Sequence, residues 1–276
     1  MQGSPPELTM AKELANLTEK VATPIIWHDP TEGWPRRIYG GTCFFLRFAP
    51  GIIGVTANHV VGAMEKAVDS NSNTICQILG ARRPPQTRAS TRIDLPCLII
   101  DRCPEWDIAT FRVSERLVKA IGALALDCTG NWPPPAPKPN EPRTVTYCGF
   151  PEAERVATSE LGVVDVFACC GLTVIDAVTK RDLIVTYDPA RDEEAPWAPW
   201  KRPPGYNMSG CSGGPVLSHG VLNGLQRSFP IAMIIMGPRG KGTGEAEGLD
   251  MIMMRRIDAI EPDGTIKHKV SGWLPR

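Results

Sequence analysis

Short runs of β-branched and aromatic residues, each about four to eight positions long and closed by glycine, proline or a polar cluster, recur along most of the chain. They predict strands at Thr42–Phe48, Ile52–Ala57, Thr74–Leu79, Leu98–Asp101, Ile108–Val113, Thr144–Phe150, Val163–Cys169, Leu183–Tyr187, Ile231–Met236 and Leu249–Met254. Many short strands separated by turn signals point to an all-β barrel or sandwich. One segment keeps the helical period instead. Met10, Leu14, Leu17 and Val21 fall at i, i+4, i+7 and i+11, one apolar stripe. Ser4-Pro5-Pro6-Glu7 just before it reads as a cap, a proline at the first helical position and a reciprocal glutamate. The plain reading is a helix packed on the body; the alternative is a partner-binding helix.

Composition sharpens the pattern. The 276 residues include 26 Gly and 27 Pro, spread as breaks between short segments rather than collected in a tail. The one concentration is Asn131–Pro142, whose six prolines cannot enter a sheet interior because proline lacks the ladder donor. It reads as a connector between two halves. The predicted organisation is an N-terminal extension with a helix at 1–38, a first β unit at 39–130, the connector at 131–142, and a second β unit with a C-terminal segment at 143–276. Asp188–Tyr206 is a second irregular stretch, either a solvated loop or a rim that touches substrate.

Charge and cysteine content exclude several classes. Lys plus Arg and Asp plus Glu each number 30, so the net charge is zero, which argues against broad nucleic-acid binding. No apolar run reaches the roughly 18 residues a membrane helix needs. The start, MQGSPPELTMAKEL, has no secretory-signal pattern, so a cytoplasmic location is expected. The nine cysteines lie mostly in apolar stretches, without Cys-x-x-Cys or Cys/His spacing, and predict reduced thiols with no structural metal.

Three short motifs carry candidate chemistry: Thr56-Ala57-Asn58-His59-Val60, then Trp106-Asp107-Ile108-Ala109, then Gly210-Cys211-Ser212-Gly213-Gly214-Pro215-Val216. Singly each has a structural explanation: a capping histidine, a turn aspartate, a glycine loop. In this order, with gaps of 48 and 105 positions, they resemble trypsin/chymotrypsin-like serine peptidases over roughly Gly40–Ile257. The style is nearest to bacterial intracellular and HtrA-like members, without a PDZ domain, since 22 residues follow Met254.

The resemblance implies two antiparallel six-stranded β-barrels with a short N-terminal helix, and a serine endopeptidase working through an acyl-enzyme. A serine hydroxyl needs a base. His59 is that base, and Asp107, expected to sit shielded from water beside Trp106 and Ile108, orients the imidazole. Ser212 is the nucleophile. The backbone N–H groups of Gly210 and Ser212 form the oxyanion hole. By the same pattern the substrate pocket falls to Tyr206, Ile235, Met236, Gly237 and Gly248, and a tyrosine base favours a small or medium apolar P1 residue. Glu245 or Glu247 would instead supply a charge. No metal or organic cofactor is implied; the partners are a polypeptide substrate and, where the site needs ordering, a regulatory protein.

Two departures qualify the resemblance. Digestive members have an aspartate just before the nucleophile, paired with an amine released by zymogen cleavage, and here that position is Cys211. No cleavage of that type is expected. Viral relatives with a cysteine nucleophile place it directly before Gly-Gly, which is Ser212 here, so Cys211 reads as a packed neighbour. Competing readings are weaker. The Gly237–Gly248 loop lacks a phosphate-loop signature, and an α/β-hydrolase would need its acid and histidine within the 64 residues after Ser212. The remaining alternative is a catalytically silent fold of this type that binds peptides as an interaction module.

Overall fold

Phe44, Phe45 and Leu46 are consecutive and all fully buried, which a strand permits only when both of its faces are covered. They belong to β2 (Tyr39–Phe48), near the middle of the first of two large sheets. The computed structural model describes residues 6–33, 37–83, 87–130, 132–135, 137–138, 143–157, 164–166, 168–187, 206–222, 225–237 and 251–269. In chain order the first part holds α1 (Pro6–Val21), β1 (Thr23–His28), β2, β3 (Gly51–Ala57), α2 (Asn58–Ser70), β4 (Ile75–Arg83), β5 (Thr87–Arg92), α3 (Leu95–Leu98), β6 (Ile99–Cys103), β7 (Ile108–Val113), α4 (Glu115–Ile121) and β8 (Ala125–Asp127). The second holds β9 (Thr144–Gly149), a single 3₁₀ turn (Glu152–Glu154), β10 (Arg155–Ala157), β11 (Val164–Val166), β12 (Cys169–Val174), β13 (Ala177–Val178), β14 (Asp182–Thr186), β15 (Pro215–Leu222), β16 (Leu225–Met236) and β17 (Met251–Arg256).

The first sheet runs β5-β4-β1-β2-β3-β7-β6, with β8 added parallel to β2; the second runs β12-β9-β15-β16-β17-β14-β13, and β10 and β11 form a separate hairpin. The architecture is the expected all-β one with a short N-terminal helix. Among the described residues the sheets hold eight and seven strands rather than six each. Each has its own apolar core, one around Phe44, Phe45, Phe111 and Met64, the other around Tyr147, Val216, Ile234 and Met254.

Several predicted strands lengthen, because pairing continues past the apolar run: Ile231–Met236 becomes Leu225–Met236 once β15 pairs along it. Val163–Cys169 divides between β11, which pairs with β10, and β12, which pairs with β9. β1 was concealed by Pro24, yet it lies between β4 and β2. It therefore adds residues of the N-terminal extension to the first sheet. Ile257, Ala259, Ile260 and Ile266, downstream of β17, also pack into the first core.

α1 forms where its period predicted it; Ser4 and Pro5 of its cap lie outside the described residues. It packs on β9, β12 and β15 of the second sheet, where the Thr18 and Thr146 hydroxyls meet at 2.6 Å. Val21 is buried, Leu14 and Leu17 are half-buried, and Met10 is exposed, so contact strengthens toward the helix C-terminus. No helix among the described residues is long and apolar enough to cross a membrane. None of the nine cysteines is in a disulfide.

Candidate functional site

β3 ends at Ala57, and α2 starts at once, burying Val60, Val61 and Met64. That places His59 in the first turn of the helix, facing the turn that precedes β7. The Asn58 N–H donates to the Asp107 carbonyl at 3.1 Å and the His59 N–H to Asp107 Oδ1 at 2.9 Å. His59 Nδ1 lies 2.7 Å from Asp107 Oδ2. Three contacts thus fix one aspartate against one histidine and leave Nε2 as the ring nitrogen on the outer side. Asp107 sits at φ 53°, the left-handed region that aspartate tolerates better than most residues, and its own N–H closes the turn on the Pro104 carbonyl at 3.1 Å. Trp106 and Ile108 are buried on either side. The Asp107 side chain itself keeps 22% exposure, so it is less shielded than the sequence suggested.

The Ser212 turn belongs to the second half. Cys211 donates to Met208 O at 3.0 Å, Gly213 to Ile234 O at 2.7 Å, and Gly214 to Cys211 O at 2.9 Å. Gly210 and Gly213 have φ of 96° and 86°, which side chains strain to adopt. A Cβ on Gly213 would lie 2.0 Å from the Thr42 carbonyl and 2.5 Å from Thr56 Oγ1. The turn is therefore pressed against β2 and β3 of the first half, three residues from His59. Among the described residues the Gly210 and Ser212 N–H groups have no acceptor, although those of Cys211, Gly213 and Gly214 all do. Ser212 Oγ donates to the Ile235 carbonyl at 3.3 Å, and no hydrogen bond joins it to His59.

Two residues that no motif marked complete the turn. Thr42, on β2, donates its N–H to Ser212 O at 2.9 Å and its hydroxyl to Gly210 O at 3.1 Å, while accepting from Phe150 N at 3.0 Å. Arg155 lies behind Gly210, its Nη2 donating to Phe150 O at 2.9 Å. Burial pulls this guanidinium down to about 10, which leaves it cationic at neutral pH. Only spatial contact identifies either residue; a threonine in a strand and an arginine after a glutamate look ordinary.

Of the proposed pocket residues, Tyr206 and the Ile235–Gly237 stretch are among those described. Tyr206 is buried and its hydroxyl donates to the buried Glu154 carboxylate. Burial, then the neighbouring Cys169 and Glu154, hold the phenol far above its ordinary range, so it remains a donor. Ile235 and Met236 end β16 and Gly237 follows it, with Met236 38% exposed. Met208 rests on Gly237: an added Cβ there would lie 2.8 Å from Met208 Cβ. Gly248, Glu245 and Glu247 lie outside the described residues. Cys211 is fully buried against Gly149, which places its sulfur away from any open surface. Of the other histidines, His28 is buried, His219 bridges Thr146 and Ser228, and His268 lies 3.2 Å from Asp101.

Neither a protein-family model nor a curated protein sequence matches the chain. Solved structures similar to it include Deg5 (TM-score 0.42, 16% identity, covering 85% of this chain and 88% of that one). A thermostable serine protease, AL20, from an extremophilic microorganism is similar at TM-score 0.44 and 11% identity, covering 87% of this chain and 92% of that one. A Sesbania mosaic virus structure concerned with the coupled folding and binding of its VPg protein has a TM-score of 0.42 at 13% identity, covering 86% and 85%. TM-scores this low say nothing about the site; the architecture stands on its own strand pairing.

Proposed function

We propose that the chain is a serine endopeptidase in which His59, Asp107 and Ser212 act together. The observation that carries this reading is the opposition, across the seam between the two sheets, of a histidine locked to a carboxylate at 2.7 Å and a serine turn with two unused N–H donors. In this mechanism His59 Nε2 takes the Ser212 proton as Oγ attacks the peptide carbonyl, and the Asp107 carboxylate stabilises the imidazolium. The oxyanion that forms is met by the Gly210 and Ser212 N–H groups, each worth about 3 to 4 kcal/mol of transition-state stabilisation. His59 then protonates the leaving amine, and water activated by the same imidazole releases the acyl group from Ser212. The proton transfers use these three side chains and call for no metal or organic cofactor. A polypeptide is the substrate.

A fluorophosphonate probe tests the assignment. Wild type should be labelled at Ser212 and cleave a casein-type substrate, and Ser212→Ala should keep its circular dichroism spectrum while losing both. Equal behaviour of the two proteins would sink the reading and leave the peptide-binding alternative. Peptide-library profiling would then define the P1 preference.

A further inference from the structure

Arg255 is 3% exposed, and nothing in the proposed chemistry uses it. It lies on β17 of the second sheet, directly opposite Asp182 on β14. Its Nε donates to Asp182 Oδ1 at 2.5 Å. Its Nη1 leaves the second sheet altogether and donates to the Trp106 carbonyl, with the Glu105 carbonyl at 3.4 Å. Arg181 adds Nη1 to Glu105 O at 3.1 Å and Nε to Asp182 Oδ2 at 3.2 Å. Two guanidinium groups of the second half, both seated on the Asp182 carboxylate, therefore donate to the two carbonyls just ahead of Asp107.

Burying a guanidinium is expensive, and a buried ion pair is weak evidence for stability, because an apolar pair of similar volume often serves as well. Here burial lowers the Arg255 pKa while Asp182 counteracts it. What an apolar pair could not do is hold the Trp106 carbonyl by a directed, charge-assisted bond. That carbonyl belongs to the peptide group that leads into Asp107, whose φ of 53° lies in the left-handed region. Elsewhere the two halves also meet where the Thr110 hydroxyl of β7 donates to the Gly264 carbonyl and where Leu217, Met233 and Ile257 join the first core.

We propose that Arg255, seated on Asp182, is a positioning residue: it fixes the Trp106–Asp107 turn of the first half on the second half, and so holds Asp107 in register with His59. The proposal rests on the peptidase reading for its catalytic consequence but not for its structural one.

Hydrogen exchange and kinetics test the two parts separately. The double variant Arg255→Met/Asp182→Leu removes the pair without leaving a buried charge, and Arg255→Lys keeps the charge but loses the fork. In the folded double variant, the Asn58 and His59 amides, which donate to Asp107, should lose protection by about tenfold or more, while the Thr42 amide at the Ser212 turn keeps its protection. In the peptidase assay kcat should fall about 10- to 100-fold with KM within about twofold, Arg255→Lys should recover part of the loss, and the double variant should add little to His59→Ala. Unchanged Asn58 and His59 protection, or equal loss at Thr42, overturns the proposal whatever the activity. Altered protection in the double variant, with a wild type that neither labels nor cleaves, would retain the positioning role and end the peptidase reading.

Discussion

Thr42, on β2 of the first sheet, gives its backbone N–H at 2.9 Å to the carbonyl of Ser212, in the turn that leads into β15 of the second. Its hydroxyl simultaneously donates to Gly210 O and accepts from Phe150 N, so one short side chain orients the peptide groups on both sides of the nucleophile turn. In the proposed mechanism this bracing would order the oxyanion site without an aspartate at the Cys211 position.

Thr42→Val keeps the shape and removes both hydroxyl bonds. It should cost about 1 to 3 kcal/mol of stability, because Gly210 O and Phe150 N lose a partner, and should lower kcat about tenfold or more. Thr42→Ser should behave nearly as wild type. Urea unfolding and steady-state kinetics on the three proteins check this, and a Val variant with wild-type kcat would remove Thr42 from the site.

Gly213→Ala should be severely destabilising, since φ is 86° and the new methyl would lie 2.0 Å from the Thr42 carbonyl. A loss above about 2 kcal/mol is expected from strain and displacement together. Gly220→Ala is the matched control: nothing lies within 4 Å of its added Cβ, and its midpoint should barely move.

Asp107→Asn separates charge from geometry. Asparagine also tolerates the left-handed region, so the φ of 53° is no obstacle and the thermal midpoint should stay close to wild type. The amide cannot stabilise an imidazolium and favours the wrong tautomer, so kcat should drop by about 10⁴. A loss below about tenfold would show that His59 works without this carboxylate.

His219 supplies a pH signature unrelated to activity. It is held between Thr146 Oγ1 at 2.7 Å and Ser228 Oγ at 2.9 Å, beside a cavity of about 210 Å³, and burial lowers its pKa. The unfolded chain takes up the proton near pH 6.5, before the folded one does. Its contribution is therefore complete above about pH 6.5 and is lost as pH falls through the depressed folded value. Wild type should lose more stability than His219→Gln between about pH 7.5 and pH 5.5, measured by urea midpoints; parallel curves would remove His219 as the source.

How much of this was legible beforehand depended on whether the signal was local. β7 was read to the residue, because Ile108–Val113 is an apolar run bounded by a turn on one side and Ser114 on the other, the latter capping α4. The three motifs pointed to His59, Asp107 and Ser212 because glycines and a turn aspartate leave marks in sequence. β1 escaped notice: Pro24 lacks a ladder donor, and only the neighbours β2 and β4 explain why the strand forms.

Periodicity and punctuation, properties of neighbouring residues, determined the class of element and the order of the two halves. They could not specify which distant groups meet. Thr42 meets Ser212 and Arg255 meets Trp106 only because the two sheets close on one seam. Those contacts depend on the packing of residues more than a hundred positions apart, and no local pattern along the chain records them.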